Sequence, residues 1–330
     1  MSKKSRFIGF VLIMLFVFST ATAMAAQYNI KLAHNLPATQ SSLYQQAALK
    51  FKDLVEKNSN GQITVQIFPA SQLGSDVSVA KKVQSGAVEA EILTANKLGS
   101  FYPEMDLYAL PFLLGDFDIA AKVFQQPIHQ TVIMELEKKT GLKSLAFVGA
   151  GFRNITNSKH PVNTPADLKD LKIRVPKNKI EIAAFEALGA NPVNIPDSDF
   201  FSALQQKVVD GQDGSAEWAY AKKVYEVQKY LSVTHHQLST STLIVNARFF
   251  NSLPADLQKV LTDAGAETQV SWQAASKAAD KDVIDRFKQQ GMEVVYPELQ
   301  PFVEKVQPVY TEFAERVGGM DRIKAIQAVK

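Results

Sequence analysis

Two arginines near the middle of the chain are the residues best suited to chemistry. Arg153 stands in the run Gly151–Asn157, and Arg174 lies near the end of the strand-like run Leu171–Val175, two residues before Pro176. A guanidinium presents a planar fork of donors that binds a carboxylate with two hydrogen bonds. These residues therefore favour recognition of an acid, which requires no catalyst.

Sequence motifs for catalysis are missing. The chain has no Gly-x-Ser-x-Gly elbow, no phosphate-binding loop and no His-Glu-x-x-His pair. Gly149 and Gly151 begin a dinucleotide-binding pattern, but Asn154 stands where the third glycine belongs. His235 and His236 are adjacent on a strand, so they point to opposite faces and do not chelate one metal ion. We expect no enzyme, no cofactor and no metal site, and a secreted α/β enzyme is the least favoured hypothesis.

The first 26 residues have the pattern of an export signal. Three basic residues come first, Lys3, Lys4 and Arg6, followed by an apolar run over 7–18 and the small residues Ala23 and Ala25. The apolar run is shorter than the roughly 20 residues that cross a bilayer, which disfavours an uncleaved anchor. We predict a signal peptide over 1–26, cleavage near Ala25 or Ala26, and a periplasmic protein.

Charge and cysteine content exclude several classes of protein. Three of the 36 Lys and Arg residues lie in the export signal, which holds none of the 33 Asp and Glu residues, so the remaining chain is nearly neutral. Nucleic-acid-binding proteins concentrate basic residues, and this balance predicts no such partner. The absence of cysteine excludes disulfides and thiolate metal sites. The length suffices for two domains, and we expect a monomer.

Strand-like and helical patterns alternate along the chain. Tyr28–Ala33 alternates polar and apolar residues as a strand does, and residues 41–57 have helical spacing. Residues 118–140 are mostly helical and end at Gly141, and residues 255–290 are helical almost throughout. This alternation is typical of an α/β fold with parallel sheets. No linker of low complexity is present, so we predict two domains joined by several chain crossings.

Eight short motifs follow one another along the chain. They are Ser71–Gly74, Phe101–Glu104, Leu110–Phe112, Gly151–Asn157, Pro165–Lys169, Lys172–Pro176, Val209–Gln212 and Tyr225–Lys229. Each is weak alone, but in this order they resemble the DctP family, the periplasmic solute-binding proteins of tripartite ATP-independent periplasmic (TRAP) transporters. The resemblance extends from about Tyr28 to the C-terminal helix.

The resemblance implies a two-lobed α/β periplasmic binding protein fold, class II-like, with a cleft between the lobes and a long helix spanning both. The implied lobes are 27–150 with about 239–278, and 151–238 with about 279–330. The lobes would close on an organic acid and deliver it to the membrane permease. In such proteins the arginine at Arg174 holds the ligand carboxylate, and the one at Arg153 supports it or reads a second polar group. The alternative for either arginine is a structural salt bridge.

The resemblance also implies further contacts with the ligand. Asn35 follows the first strand, where sugar-acid receptors similarly place an asparagine facing the ligand. Thr94 and Asn96 end the third strand, at the edge of the sheet that faces the crevice. Asp76 precedes a helix, and the interpretation as a helix cap is favoured over a ligand contact.

Departures from the family pattern guide the prediction of the ligand. Many members read Glu-Asn-Pro where this chain reads Asp213, Gly214 and Ser215. Gly214 lacks the side chain that shares the carboxylate with Arg174, and the aromatic residues Trp218 and Phe152 would add flat surface. We predict a bulky or aromatic carboxylate, with a sugar acid or a C4-dicarboxylate as the alternative. Trp218 as a core residue is equally compatible with the sequence.

Asp197 stands where similar sequences often carry an aromatic residue. An acid there could receive an ammonium group, which would make the ligand an aromatic amino acid or an indole-type acid. The competing interpretation is a helix cap, since Asp is favoured at that position. A ligand-presenting sensor protein is a further alternative to a transport receptor.

Overall fold

The computed structural model describes residues 27–329, so the predicted signal peptide over 1–26 lies outside the described residues. The strands are β1 (Tyr28–His34), β2 (Ile63–Phe68), β3 (Ala90–Thr94), β4 (Leu142–Asn157), β5 (Lys172–Val175), β6 (Asn191–Asn194), β7 (Gly211–Ser215), β8 (Tyr230–Asn246) and β9 (Glu293–Val295).

The α-helices connect and cover these strands. They are α1 (Leu43–Asn58), α2 (Asp76–Ser85), α3 (Phe117–Gln125), α4 (Pro127–Thr140), α5 (Lys179–Ala187), α6 (Phe200–Gln205), α7 (Ala216–Ala221), α8 (Ala247–Ser252), α9 (Ala255–Gln289), α10 (Gln300–Phe313) and α11 (Met320–Gln327). Short 3₁₀ helices cover Ala95–Ser100, Pro103–Ala109, Pro165–Leu168, Val224–Glu226 and Glu315–Val317. Among residues 27–329, no helix is both long and apolar enough to cross a membrane.

The fold is a two-lobed α/β structure built on one mixed sheet. The strand order is β2-β1-β3-β8-β4-β7-β5-β6, and β9 pairs with β8. β1 is parallel to β2 and β3, and β5 is parallel to β6 and β7, while β3, β4, β7 and β8 make the antiparallel pairs. Each lobe therefore has its own parallel strands, and the long strands β4 and β8 run through both.

The register of β4 and β8 shifts at three places along the pair. Their pairing is interrupted between Gly149 and Phe152. Gly151 adopts a φ of 106°, a conformation that side chains disfavour, which explains a glycine in this strand. β4 continues on both sides of this irregular segment, from Leu142 to Asn157.

Helix α9 braces β4 across this irregular segment. Gln269 Oε1 accepts a hydrogen bond from the backbone N–H of Phe147 at 2.8 Å. Gln273 Oε1 accepts one from the backbone N–H of Gly149 at 2.9 Å. Asp280 Oδ1 accepts from the backbone N–H of Phe152 at 2.9 Å. These side chains satisfy donors that β4 does not use in the sheet, so the single helix supports both halves of the strand. The prediction of one long helix here is confirmed.

One local expectation from the sequence changes in detail. The helical pattern over 118–140 divides into α3 and α4, because Pro127 has no N–H to continue the helix and instead begins a new one. Thr164 and Asp167 form a capping box at the start of the 3₁₀ helix Pro165–Leu168.

Candidate functional site

A cavity lies between the lobes at the carboxyl ends of β3 and β5. It contains about 560 Å³ of empty space, including its opening to solvent. Nine of the eleven residues predicted from the sequence line it: Asn35, Thr94, Asn96, Arg153, Arg174, Asp197, Asp213, Gly214 and Trp218. Asp76 lines an adjacent pocket that shares Lys97, Arg174 and Asp197, whereas Phe152 lines neither.

Arg174 extends from β5 into the cavity and is only 2% exposed. Its Nε donates to the backbone oxygen of Ile195 at 2.9 Å, and its Nη2 donates to Asp197 Oδ1 at 2.5 Å. The guanidinium carbon lies 5.4 Å from the ring centroid of Phe200 and 5.6 Å from that of Trp218, so two aromatic rings also fix it. Within residues 27–329, no acceptor receives a hydrogen bond from Nη1.

Asp197 joins two cations and is not a helix cap. Its Oδ1 accepts from Arg174, and its Oδ2 accepts from Lys97 Nζ and, at 3.2 Å, from Asn35 Nδ2. Burial alone would raise its pKa, but the charges of Lys97 and Arg174 hold the pKa well below the usual range. The capping interpretation is therefore wrong: α6 begins at Phe200, after Asp199.

Lys97 is the second cation of this cluster. Its Nζ donates to Asp76 Oδ2 at 2.7 Å as well as to Asp197, and Asp76 Oδ2 also accepts from Asn35 Nδ2 at 2.9 Å. Asp76 is the first residue of α2 and makes no cap, because Ser75 holds the capping position. Its carboxylate faces Lys97 instead, so the expectation of a cap is wrong here too.

Lys222 contributes a third positive charge. Its Nζ donates to the backbone oxygen of Asn35 at 2.8 Å. Burial lowers the pKa of Lys222, while Asp197 and Asp76 act in the opposite direction. In the described part of the chain, the cluster thus brings three cationic groups, Arg174, Lys97 and Lys222, against two carboxylates.

Arg153 makes a closed salt bridge beside the cavity. Its Nε and Nη2 donate to the two carboxylate oxygens of Asp213 at 2.9 and 2.5 Å, and its Nη2 lies 3.8 Å from Glu181 Oε2. Asp213 Oδ1 also contacts His236 Nε2 at 2.9 Å. Burial opposes the charge of Arg153, but Asp213 and Glu181 raise its pKa above the usual value. This is the salt-bridge arrangement that the sequence left open for Arg153.

Gly214 does not leave free space for a large ligand. A Cβ at this position would lie 2.9 Å from the ring of Trp218 and 2.8 Å from Gln212 Oε1. The indole of Trp218 packs against Phe200 with ring centroids 4.6 Å apart. Trp218 thus fills the volume that a side chain at 214 would take, and it forms part of the cavity wall.

Phe152 points away from the cavity. Its ring stacks on His235 at 4.7 Å between centroids and packs edge-on against Phe117 at 5.7 Å. Neighbouring strand residues face opposite sides of a sheet, so Phe152 turns to the core when Arg153 turns to the cavity. The expectation that Phe152 adds aromatic surface to the site is wrong.

Three polar side chains that line the cavity keep unused hydrogen-bonding atoms. Asn35 Oδ1, Asn96 Oδ1 and Thr94 Oγ1 are buried and lack a partner among the described residues. Asn96 is oriented by its Nδ2, which donates to Glu181 Oε1 at 2.5 Å. Buried polar atoms in native proteins are nearly always hydrogen-bonded, so these three are suited to contact a polar ligand or ordered water.

Comparison with known proteins identifies the family. The sequence model of the bacterial extracellular solute-binding proteins, family 7 (DctP), matches residues 32–316. The chain belongs to the DctP family. Members of this family are the extracytoplasmic substrate-binding proteins of TRAP transporters and are not enzymes.

Individual DctP proteins are similar over nearly the whole chain. The 2,3-diketo-L-gulonate-binding periplasmic protein YiaO of Escherichia coli K12 is 34% identical over 279 residues, which cover 84% of this chain and 83% of that protein. The C4-dicarboxylate-binding periplasmic protein DctP of Rhodobacter capsulatus is 32% identical over 315 residues, or 93% and 92% of the two chains.

The fold of this DctP protein also matches solved structures. A TRAP periplasmic solute-binding protein from Polaromonas sp. JS666 bound to D-erythronate superimposes with a TM-score of 0.88 at 33% identity, covering 92% of this chain and 99% of that one. One from Sulfurospirillum deleyianum with bound succinate gives a TM-score of 0.87 at 29% identity, covering 92% and 100%.

Sequence reasoning missed several residues that line the cavity of this DctP protein. Lys97 directly follows the Thr94 to Asn96 segment, and its position at the same strand end was the signal that could have found it. Ser239 and Ser241 of β8 also line the cavity, and their spacing of two places them on one face of the strand.

Proposed function

We propose that this DctP-family protein binds an organic acid through Arg174 and delivers it to the membrane permease of a TRAP transporter. The observation that supports the proposal is the incomplete hydrogen bonding of the buried Arg174 guanidinium. Its Nε and Nη2 are held by Ile195 and Asp197, two aromatic rings pack near it, and Nη1 has no acceptor in residues 27–329. A charged donor placed in advance in a buried cavity offsets the cost of removing a carboxylate from water.

The charge of the site favours an anion over a zwitterion. Arg174, Lys97 and Lys222 face the carboxylates of Asp76 and Asp197. The third nearby carboxyl, Glu91, has a pKa that burial raises, which disfavours its charged form, so the cluster keeps a surplus of positive charge. An ammonium group at Asp197 would meet a carboxylate that two cations already hold. These contacts argue against the amino-acid ligand that the sequence raised.

Among organic acids, a hydroxylated monocarboxylate fits best. The unpaired Asn35 Oδ1, Asn96 Oδ1 and Thr94 Oγ1 offer partners to ligand hydroxyl groups, which an aromatic acid would leave unsatisfied at a cost of about 1 to 3 kcal/mol each. Several relatives bind acids of this kind, among them the D-erythronate receptor. A flat aromatic carboxylate is the second candidate, since Leu36, Leu43, Tyr44 and Trp218 provide an apolar wall.

Movement of the lobes accompanies binding in this proposal. We assign one lobe to 27–150 with about 239–278 and the other to 151–238 with about 279–330. The register shift between Gly149 and Phe152 supports a hinge at that boundary, and ligand binding would shift the balance between open and closed forms. The signal peptide over 1–26 and a monomeric receptor in the periplasm complete the proposal.

A ligand panel tests this function. The exported chain without residues 1–26 is titrated by calorimetry with D-erythronate, galactonate, succinate, indole-3-acetate and L-tryptophan, and D-erythronolactone serves as the matched control without a carboxylate. We expect a hydroxylated monocarboxylate to bind and, at 100 times its Kd, to stabilise the protein by about 2.7 kcal/mol. Absence of binding by every acid, or equal binding by the lactone, contradicts the proposal.

A further inference from the structure

We propose that Asp197 and Lys97 determine the selectivity of the site for monocarboxylates over dicarboxylates. In this proposal the carboxylate of Asp197 takes the place of a second ligand carboxylate. The inference rests on the proposed function, because it concerns the acid that Arg174 binds. Neither residue needs to touch the ligand carboxylate held by Arg174 to act in this way.

Asp197 occupies the positions that a second ligand carboxylate would use. Its Oδ1 takes Arg174 Nη2 at 2.5 Å and its Oδ2 takes Lys97 Nζ, so one protein carboxylate bridges both cations. Lys97 is also held on its other side by Asp76 at 2.7 Å. Arg174 Nη1 therefore stays available to one ligand carboxylate. The charge of Lys97, in contrast, is already neutralised by two protein carboxylates, Asp76 and Asp197.

A ligand with two carboxylates meets an electrostatic penalty at this end of the cavity. Its second negative charge would approach the charges of Asp197 and Asp76, and the surplus positive charge of the cluster matches only one anion. Lys222 is the other cation facing the cluster. Glu91 also faces it, and burial raises the pKa of Glu91 well above its usual value, which disfavours its negatively charged form.

Two substitutions change the charge of the cluster in opposite directions. Asp197→Asn removes a negative charge with little change of shape, and the amide oxygen still accepts a hydrogen bond. Lys97→Gln removes a positive charge from the same ion pair. The two variants disrupt the same contact but change the net charge in opposite directions. If the contact is purely structural, both variants should change the selectivity between monocarboxylate and dicarboxylate in a similar way. The proposed role predicts changes of selectivity in opposite directions.

The experiment compares two acids that differ in a single group. D-erythronate and meso-tartrate have the same carbon chain and hydroxyl arrangement, except that tartrate carries a carboxylate in place of the terminal CH₂OH. Galactonate and galactarate form the same kind of pair for a receptor of six-carbon acids. The ratio of the two Kd values is measured by calorimetry for the exported wild-type chain and each variant.

We expect the wild-type protein to prefer the monocarboxylate, Asp197→Asn to shift the Kd ratio toward the dicarboxylate by about tenfold, and Lys97→Gln to shift it the other way. Asp199→Asn, at an exposed position in the same segment, serves as the control with an unchanged ratio. Ratios unchanged in both variants, or shifted in the same direction, overturn the inference. If either variant fails to fold, the direction of the shift in the other decides.

The outcome separates this inference from the proposed function. A wild-type protein that binds no acid of the panel refutes the function itself. A wild-type protein that binds an acid, with selectivity indifferent to both substitutions, refutes only the role of Asp197 and Lys97.

Discussion

The two buried arginines of the cavity differ in how completely the protein neutralises them. Arg153 shares two parallel hydrogen bonds with Asp213 and lies near a second acid, Glu181. Arg174 makes one hydrogen bond to Asp197, which it shares with Lys97. Arg153 thus lies near two acidic side chains, whereas Arg174 belongs to a cluster in which cations outnumber carboxylates.

Under the proposed function, this difference separates an arginine with a structural role from an arginine that binds the ligand. A buried ion pair that satisfies both partners has little left to offer a ligand, and breaking it costs stability. A buried cation that shares its counter-ion retains donors and attracts an anion from solvent. Burial of an arginine near a cavity is therefore not sufficient to assign it to the ligand, and its carboxylate partners must be counted.

The largest expected effect is loss of stability when the Arg153 pair is broken. Asp213→Asn leaves Arg153 buried without its main counter-ion and should lower the free energy of unfolding by about 3 to 5 kcal/mol. Urea denaturation of the ligand-free protein measures this. Asp199→Asn, which alters an exposed carboxylate, is the control and should stay within about 0.5 kcal/mol of wild type. Equal stability of both variants would show that the pair is not structural.

The second effect is on binding and concerns Arg174. Arg174→Ala and Arg174→Lys should each weaken acid binding about a hundredfold, or roughly 2.7 kcal/mol, because a lysine cannot hold Ile195 and Asp197 and still offer donors to the ligand. Circular dichroism checks that each variant is folded. Arg248→Lys, at an exposed position, is the control. Wild-type affinity in the lysine variant would place Arg174 with Arg153 as a structural residue.

A smaller effect is expected where the wall of the cavity meets Arg174. Gly214→Ala places a methyl group against the Trp218 ring and Gln212, and overpacking of this kind costs about 1 to 3 kcal/mol of stability. In a Trp218→Phe background the smaller ring should reduce that cost, which a double-mutant cycle measures. An equal cost in both backgrounds would mean that Trp218 does not fill the space at Gly214.

Taken per pH unit, the smallest effect is a dependence of stability on pH that belongs to the Arg153 region. Burial raises the pKa of Glu181 to about 7, although Arg153 acts to lower it. Between the ordinary value near 4.5 and about 7, the folded protein keeps a proton that the unfolded chain releases, so stability falls as the pH rises, by at most about 1.4 kcal/mol per pH unit.

Glu181→Gln should remove this contribution and flatten the stability curve relative to wild type in that window. Glu186→Gln, at an exposed position on the same helix, provides the control. Denaturation at several pH values between 4.5 and 7.5 measures the difference. A curve for Glu181→Gln that parallels the wild-type curve would indicate that Glu181 is already ionised in the folded protein.

The sequence predicted the frame of the molecule better than the contacts of the site. Helix α9 followed from its long helical pattern, and the position of Arg174 followed from motifs that lie close together in the chain. The bridge from Asp197 to Lys97 joins residues that are 100 positions apart, and no local pattern reports such a pair. A capping preference read from neighbouring residues gave the wrong interpretation of Asp197, because a tertiary ion pair outweighs a local hydrogen bond.

Gly214 illustrates a second limit. The sequence showed only that position 214 lacks a side chain, and a tryptophan four positions along the chain occupies the volume that such a side chain would take. Whether a small residue opens a cavity depends on what packs over it, and packing is set by side chains from several elements. The composition of a segment therefore identified residues that line the cavity but did not predict the shape of the space between them.

A crystal structure of the protein with its bound monocarboxylate tests the central claim most directly. We expect a carboxylate oxygen of the ligand about 2.7 to 2.9 Å from Nη1 of Arg174, with Asp197 still bridging Arg174 and Lys97. A ligand carboxylate bound to Lys222 or Arg153 instead, with Arg174 making contacts only within the protein, would contradict it.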